Sequence, residues 1–292
     1  MSIIDTPFNT VSKIPCLLSK GVTTVIRYYN FVNSSRLPRK CLELAEAQAL
    51  SASGIQIAVV FQQSQDSAAA FSLVKGIAAG RRAYHLAQNI IGQPANSAIY
   101  FGVDFDADEG IIANNIFPYF EGVKKAFMEE SLGSPEYRIG AYGSGLVCGS
   151  LREKNRIELA WLSQSLGHRG TRQALAAGEF HLAQRSPATT LCGLGVDFND
   201  SNPAQPDFGV FTIGIDTAHN DFPTTIGTPH KVIARSGLRL REGPGKQFGV
   251  INILNSGQRV FVSKTIGGWA QVDVEGDGQV DGFASVEFLE VV

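Results

Sequence analysis

Two aspartates separated by one residue, Asp104 and Asp106, follow an apolar run at 98–103. Side chains at positions i and i+2 of an extended segment point the same way, so we expect both carboxyls to face one pocket. Two close carboxyls cannot both ionise at low cost, so the pKa of one should rise. A proton donor beside an anion is what acetal cleavage requires. The alternative is that the acidic residues from Asp106 to Glu109 only cap the helix that follows.

Further polar side chains occupy the ends of other predicted strands. Asp5 and Asp197 would bring a third and a fourth carboxylate to the same place, if the strands close into a barrel. The other candidates are polar or aromatic residues suited to substrate contact: Arg27, Tyr28, Gln62, Tyr142 and Gln184. For Arg27, an ion pair with Asp5 or Asp104 is an equally good interpretation.

These residues are positioned by short apolar runs that alternate with helical patterns up to about residue 200, a pattern typical of parallel βαβ units. The predicted strands are 2–5, 23–28, 55–61, 98–103, 138–142, 159–163, 180–183 and 194–198, and the predicted helices include 39–52, 67–91 and 113–130. Eight strands predict an α/β fold, a (β/α)8 TIM-like barrel with its chemistry at the C-terminal strand ends. An open doubly wound sheet is the alternative, but its dinucleotide-binding form carries a glycine-rich loop after strand 1, which residues 5–9 lack.

The pattern changes near residue 216. Residues 216–229 contain Thr, Pro and Gly and are interpreted as a linker. Residues 230–292 alternate with period two between glycine turns, which predicts a small all-β barrel. The predicted domains are therefore 1–215 and 230–292, joined by 216–229.

Composition narrows the possible partners and compartments. The chain has 292 residues, 44% hydrophobic and 18% charged, with a net charge of -2, so it can bury a large core. Without a Lys/Arg run, neither nucleic acid nor a membrane is expected as a partner. The N-terminal residues lack the basic and apolar regions of a secretory signal, so export by a non-classical route is expected if the substrate lies outside the cytoplasm.

The cysteines and histidines are scattered along the chain. Cys16, Cys41, Cys148 and Cys192 form no C-x-x-C pair and are interpreted as buried thiols rather than as disulfides or zinc ligands. The histidines show no metal-ligand spacing. No metal and no cofactor are expected.

Several stretches of the first domain resemble a known family. They are Ile4-Asp5-Thr6, Arg27-Tyr28, Glu46-Ala47 with Gly54, Ile99-Tyr-Phe-Gly-Val-Asp-Phe-Asp106, Gly140-Ala-Tyr-Gly-Ser144 and Gly195-Val-Asp-Phe-Asn199. Over roughly residues 1–205 they are similar to the glycoside-hydrolase-like barrel family long known as a domain of unknown function. That family resembles the barrel lysozymes, which cut the muramic acid to glucosamine bond and carry Asp-x-Glu after strand 4, with the Glu as general acid.

The resemblance implies roles for the four aspartates. Asp106 would be the acid, Asp104 its anionic partner, and Asp5 and Asp197 would position the substrate. Asp106 stands where the lysozymes have Glu, so its carboxyl lies one methylene further back from the bond to be cut. The resemblance therefore implies a sugar pocket more firmly than muramidase activity.

The tail resembles bacterial SH3 domains. The matching stretches are Gly237-Leu-Arg-Leu-Arg-Glu-Gly-Pro244, Val250-Ile-Asn-Ile-Leu254, Gly257 with Val260, Gly268-Trp269 and Asp281-Gly-Phe283. Such domains commonly bind peptidoglycan peptides, which implies an anchoring role. Trp269 and Phe283 would line the binding groove, although core packing explains both equally well.

Two functions follow from these patterns. The first is a lysozyme-like glycosidase that acts on the glycan strands of bacterial peptidoglycan and is held on the stem peptides by the SH3 domain. The second is a wall-binding protein whose barrel has lost turnover. With no Cys–His pair or zinc set at the strand ends, an amidase or endopeptidase lacks support. A phage lysin, or an antibacterial effector with an immunity or secretion partner, would be made in the bacterial cytoplasm and act at the wall or in the periplasm.

Overall fold

The computed structural model describes residues 2–214, 227–241, 243–274, 276 and 280–292. The chain divides into two compact units, Met1–Ile215 and Asp216–Val292. Most of the predicted linker 216–229 lies outside the described residues, and the strand that follows begins at Thr228. Among the described residues, no helix is long and apolar enough to cross a lipid bilayer.

The first unit is an eight-stranded barrel surrounded by helices, as the sequence predicted. Its strands, with one short outer strand, are β1 (Ser2–Asp5), β2 (Val22–Tyr29), β3 (Gln56–Phe61), β4 (Ala98–Gly102), β5 (Arg138–Gly143), β6 (Leu159–Leu162), β7 (Leu182–Gln184), β8 (Thr189–Leu191) and β9 (Leu194–Ser201). Strands β1 to β7 pair in parallel in chain order, and β9 closes the barrel between β7 and β1. The outer strand β8 pairs with β9.

The closing strand departs from the expected parallel arrangement. Strand β9 runs antiparallel to both β1 and β7, with Asp5 opposite Asp197 and Gln184 opposite Asn199. A parallel crossover needs a dozen or more residues, usually a helix. Residues 185–193 are too few for that and instead form the short strand β8, which makes a hairpin with β9.

The helices cover the outside of the barrel. They are α1 (Ile14–Ser19), α2 (Leu44–Ala52), α3 (Leu73–His85), α4 (Glu109–Ile111), α5 (Phe117–Glu130), α6 (Gly145–Glu153) and α7 (Thr171–Ala177). Helix α3 continues as a π-helical segment, Leu86–Ile91, and a second π-helical segment, Ile112–Ile116, precedes α5. Helices α3 and α5 pack closely because Gly76 has no side chain: a Cβ there would overlap the backbone oxygen of Tyr119.

The strands are apolar runs because they are buried on both faces. Every residue of β4 is buried, and so is β3 after its first residue. Inside the barrel, aromatic side chains such as Tyr100 and Trp161 fill the interior. This packed interior forms a floor beneath the mouth of the barrel, where the strands end.

A disulfide contradicts the expectation of four thiols. Cys16 of α1 is bonded to Cys192, which lies in the turn between β8 and β9, across a sequence separation of 176 residues. Barrel closure brings the first helix beside the last strand, and spacing along the chain carried no sign of this. Cys148 is buried, as expected, and Cys41 is half-buried, both outside the disulfide.

The second unit is an antiparallel sheet of short strands. They are β10 (Thr228–Val232), β11 (Leu238–Arg241), β12 (Val250–Leu254), β13 (Arg259–Ile266), β14 (Trp269–Asp273), β15 (Gly282–Ser285) and β16 (Leu289–Val291), with a 3-10 turn at Val286–Phe288. The strand order is β12-β11-β15-β14-β13-β10-β16. This agrees with the predicted small all-β, SH3-like domain.

Candidate functional site

A pocket of about 240 Å³ opens at the mouth of the barrel. It is lined by Pro7, Tyr28, Leu37, Lys40, Val60, Gln62, Asp104, Tyr142, Trp161, Gln164, Gln184 and Asp197. The side chains come from the carboxyl ends of the parallel strands or the loops after them, and from the antiparallel β9. Carboxyl, amide and aromatic groups together suit a sugar ring, which offers hydroxyls at its edge and C–H groups on its faces.

Asp5 lies beneath this pocket, with 2% of its surface exposed. Its Oδ2 accepts hydrogen bonds from Asn199 Nδ2 at 2.8 Å and Gln184 Nε2 at 3.0 Å, and its Oδ1 lies 3.5 Å from the Tyr28 hydroxyl. Burial, and to a smaller extent the nearby carboxyl of Asp197, raise the pKa of Asp5 to about 7 despite the lowering effect of these hydrogen bonds. Near neutral pH this carboxyl therefore holds a proton about half of the time.

Asp197 stands opposite Asp5 on the antiparallel strand β9. Directly opposed residues of an antiparallel pair project to the same face of the sheet, and Asp197 reaches the pocket wall. Its Oδ1 is buried and has no hydrogen-bond partner among the described residues. Burial raises the pKa of Asp197 above its ordinary value. Asp5 and Asp197 thus form a pair of carboxyls that favours keeping a proton.

Asp104 occupies the other side of the mouth and is exposed. Its Oδ2 accepts a hydrogen bond from Gln62 Nε2 at 3.1 Å. In a closed barrel of eight strands, the end of the fourth strand faces the eighth, so Asp104 lies across the pocket from Asp197.

Asp106 does not share the pocket with Asp104, contrary to the expectation from their spacing. Strand β4 ends at Gly102, so both aspartates lie on a loop where side chains no longer alternate as in a strand. The carboxyl of Asp106 accepts hydrogen bonds from the backbone N–H of Arg169 at 2.8 Å and from its Nη1 at 2.6 Å. Asp106 is absent from the pocket lining and joins two loops instead.

Arg27 is also outside the pocket. Its guanidinium is fully buried and bonds Glu46 through Nε at 2.9 Å and Nη2 at 3.1 Å, and the Thr6 carbonyl through Nη1 at 2.7 Å. The ion pair considered from sequence exists, but its partner is Glu46 of α2 rather than Asp5 or Asp104. Arg27 therefore joins β2 to its covering helix, and full burial separates it from any ligand.

The remaining candidates of the barrel do line the pocket: Tyr28, Gln62, Tyr142 and Gln184. Two of them extend the network around Asp5, because the Tyr142 hydroxyl donates to Gln184 Oε1 at 2.8 Å. Burial, and then the nearby carboxyls of Asp104, Asp5 and Asp197, raise the pKa of Tyr142 well above its ordinary value. Tyr142 is therefore a neutral hydroxyl close to all three carboxyls.

Sequence reasoning missed several residues of this site. Asn199 holds Asp5 and accepts a hydrogen bond from Trp161 Nε1 at 2.8 Å. Its position two residues after Asp197 was a usable signal, since both then share one face of a strand. Lys40 and Gln164 lie on loops, where no periodic pattern could have indicated them. Among the described residues, no group of three or more His, Cys, Asp or Glu could hold a metal ion.

A separate groove of about 590 Å³ marks the second unit. It is lined by Ala234, Arg235, Ser236, Gly237, Leu238, Arg239, Arg241, Lys246, Ile253, Trp269, Ser285 and Phe288. Trp269 lies in it, whereas Phe283 is not part of the lining. Arg241 is tied to backbone carbonyls through Nη1, including that of Phe248 at 2.7 Å. The groove combines aromatic surface with positive charge and so suits a ligand that carries carboxylates.

Both units match known family models. Residues 15–200 match the Rv2525c-like, glycoside hydrolase-like domain, and residues 236–290 match the bacterial SH3 domain. The barrel is similar to the crystal structure of the Tat-secreted protein Rv2525c of Mycobacterium tuberculosis in complex with L-tartrate, with a TM-score of 0.58 and 20% identity. That similarity covers 72% of this chain and 98% of the mycobacterial one.

Two proteins of Bacillus subtilis (strain 168) are related in sequence, and both are described as uncharacterized. FadG is 29% identical over 213 residues, which are 72% of this chain and 36% of FadG. YbfG is 32% identical over 145 residues, which are 48% of this chain and 19% of YbfG. The chain thus spans well under half the length of either relative.

Proposed function

The chain belongs to the Rv2525c-like, glycoside hydrolase-like domain family, and on that basis we propose that it is a glycosidase of peptidoglycan with lysozyme-like specificity. The observation that carries this proposal is the arrangement of carboxyls at the barrel mouth. Asp197 has a raised pKa and a buried oxygen without a described partner, and Asp104 is exposed across the pocket. An acid and an anion on opposite walls are the pair that glycoside cleavage needs.

In the proposed reaction, Asp197 donates the proton to the leaving glycosidic oxygen. Asp104 stabilises the positive charge that develops on the sugar ring, either directly or by orienting the N-acetyl group of the substrate. Asp5 holds Gln184 in place from below. The role of acid thus moves from Asp106, as the family resemblance had implied, to Asp197, because Arg169 occupies the Asp106 carboxyl.

The bacterial SH3 domain would supply affinity for the wall. Stem peptides carry free carboxylates, and the groove around Trp269 contains Arg235, Arg239 and Lys246. A disulfide persists in oxidising compartments and is rare in the cytoplasm. The Cys16–Cys192 bond therefore supports a site of action at the cell wall or in the periplasm.

The second candidate function is a wall-binding protein without turnover. The pairing of Asp106 with Arg169 favours it, because this aspartate stands where the barrel lysozymes place their general acid. Under this alternative the barrel would still hold a glycan in its pocket and release no product.

Digestion of labelled sacculi by the purified full chain, followed by mass spectrometry, tests the proposal. We expect soluble fragments with a reducing muramic acid end, and their loss in Asp104→Asn and Asp197→Asn. Fragments with a reducing glucosamine end would show that the protein is a glycosidase that cuts the other glycosidic bond of the strand. Sacculi that bind the protein yet release nothing from either wild type or variants would establish the binding function instead.

A further inference from the structure

Lys40 places a cation in the wall of the barrel pocket. Its Nζ donates a hydrogen bond to the backbone oxygen of Gln62 at 2.7 Å and lies 4.7 Å from the centre of the Tyr28 ring. These two contacts fix the ammonium beside the pocket, where the Lys40 side chain is only partly exposed. The other charged side chains that line this pocket are the carboxyls of Asp104 and Asp197.

The ammonium of Lys40 lies near Asp104 but forms no ion pair with it. Within the part of the chain that the structure describes, Lys40 forms no salt bridge with a carboxylate. An ammonium has three N–H donors, and the Gln62 carbonyl takes one of them. A partly buried cation with unused donors is a binding position for an anion.

We propose that Lys40 recognises a carboxylate on the bound sugar, so that the barrel selects an acidic saccharide over a neutral one. This inference rests on the proposed function and deepens it, because it names the charge of the substrate. The lactyl ether of a muramic acid residue carries such a carboxylate where no stem peptide is attached to it, whereas a chitin-type saccharide carries none. Because carboxyls line the same pocket, a cation is needed to offset their repulsion of an acidic sugar.

The surroundings of Lys40 support this assignment. Burial lowers the pKa of Lys40 to about 8, with Asp104 acting to raise it and Arg27 to lower it. The groups that face it are Asp104 after β4, Arg27 and Tyr28 on β2, and its chain neighbour Cys41. A bound carboxylate would raise the pKa of Lys40 again. The preference for the acidic sugar over the neutral one should therefore fall as the pH rises above about 8, where Lys40 loses its proton.

Calorimetric titration of the full chain with two disaccharides tests the proposal. The acidic probe is N-acetylglucosaminyl-N-acetylmuramic acid, and the neutral probe is diacetylchitobiose. At pH 6.5 we expect roughly tenfold tighter binding of the acidic probe by the wild type, on the order of one charge-assisted contact. Lys40→Met should bring this ratio to about one, and Lys40→Arg, which keeps the charge, should retain most of it.

Lys75→Met is the matched control. Its ammonium also bonds a backbone carbonyl, that of Ala69 at 2.7 Å, but it lies outside the pocket. This variant should leave the ratio unchanged, and circular dichroism would verify that both methionine variants are folded.

Equal affinity of the wild type for both probes, or a ratio that survives in folded Lys40→Met, would overturn the role of Lys40. Sacculus digestion separates this result from the proposed function. Cleavage of sacculi combined with equal affinity for the two disaccharides would reject the lysine inference alone, whereas a Lys40-dependent preference without cleavage would reject only the hydrolase.

Discussion

The aspartates on the two sides of the barrel mouth differ in burial and in hydrogen bonding. On one side, Asp5 and Asp197 belong to paired strands, are held by regular backbone hydrogen bonds, and have raised pKa values because of burial. On the other, Asp104 and Asp106 lie on a loop, one exposed and one paired with Arg169. Burial, rather than spacing in sequence, therefore raises the pKa values of Asp5 and Asp197.

The same contrast separates the residues proposed to take part in proton transfer from those that join loops. Asp106 and Arg169 are both partly exposed, so their ion pair joins two loops at small energetic gain. The Asp5 network instead connects Asn199, Gln184 and Tyr142 in one hydrogen-bonded chain. A change on the Asp5 side should alter proton transfer, and a change at Asp106 should mainly alter loop order.

The largest difference between the two sides should appear in turnover. Asp197→Asn removes the proposed proton donor and should lower the rate of muropeptide release by about 10³-fold, as expected for loss of a general acid. Asp106→Asn keeps the shape of the loop and should lower it less than about tenfold, because only the ion pair with Arg169 is lost. Release rates measured on the same sacculi compare the two directly.

Arg169→Ala is the control for that comparison, since it breaks the same ion pair from the other partner. Equal large losses in Asp106→Asn and Asp197→Asn, with Arg169→Ala nearly active, would return the role of acid to Asp106.

The disulfide should stabilise the Asp197 side, where it ties α1 to the turn before β9. Replacing both Cys16 and Cys192 with alanine should lower the free energy of unfolding by about 4 kcal/mol, because the bond closes a long loop in the unfolded chain. Urea titration that follows the unfolding transition of the barrel measures this free energy. Cys41→Ala, which lies outside the disulfide, should cost much less, and a similar loss in both variants would show that the bond contributes little.

The raised pKa of Asp5 predicts a stability that depends on pH. The folded state holds the proton up to about pH 7, whereas an ordinary Asp releases it near 3.8, so the contribution of Asp5 favours folding at low pH. It should fall as pH rises between these values and stay low above pH 7. Between pH 5 and pH 8 the wild type should lose about 3 kcal/mol relative to Asp5→Asn, which cannot ionise.

Denaturant titrations of both proteins at several pH values measure that difference. Parallel pH profiles for the wild type and Asp5→Asn would mean that Asp5 titrates in the folded chain as it does in the unfolded one.

Most of the barrel was predictable because strand signals are local. The limits of β1 were predicted correctly, and Ala98 to Gly102 was recognised from its apolar run before a polar turn. The antiparallel direction of β9 was missed, although the short connection after Gln184 could have indicated it. The Asp5–Asp197 pair depends on this direction and on closure of the barrel.

The rest of the site depends on contacts between distant parts of the chain. Glu46 pairs with Arg27, Arg169 pairs with Asp106, and Cys16 is bonded to Cys192 across a sequence separation of 176 residues. Lys40 lies on a loop without periodic signal, so its place in the pocket wall could be found only from the structure.

The titration of Asp5, followed by ¹³C NMR of its side-chain carboxyl in the wild type, tests the central claim most directly. A midpoint near pH 7, shifted when Asp197 is replaced with asparagine, is the predicted result, because both burial and the neighbouring carboxyl raise this pKa. A midpoint near the ordinary value of 3.8, unchanged in Asp197→Asn, would contradict the account.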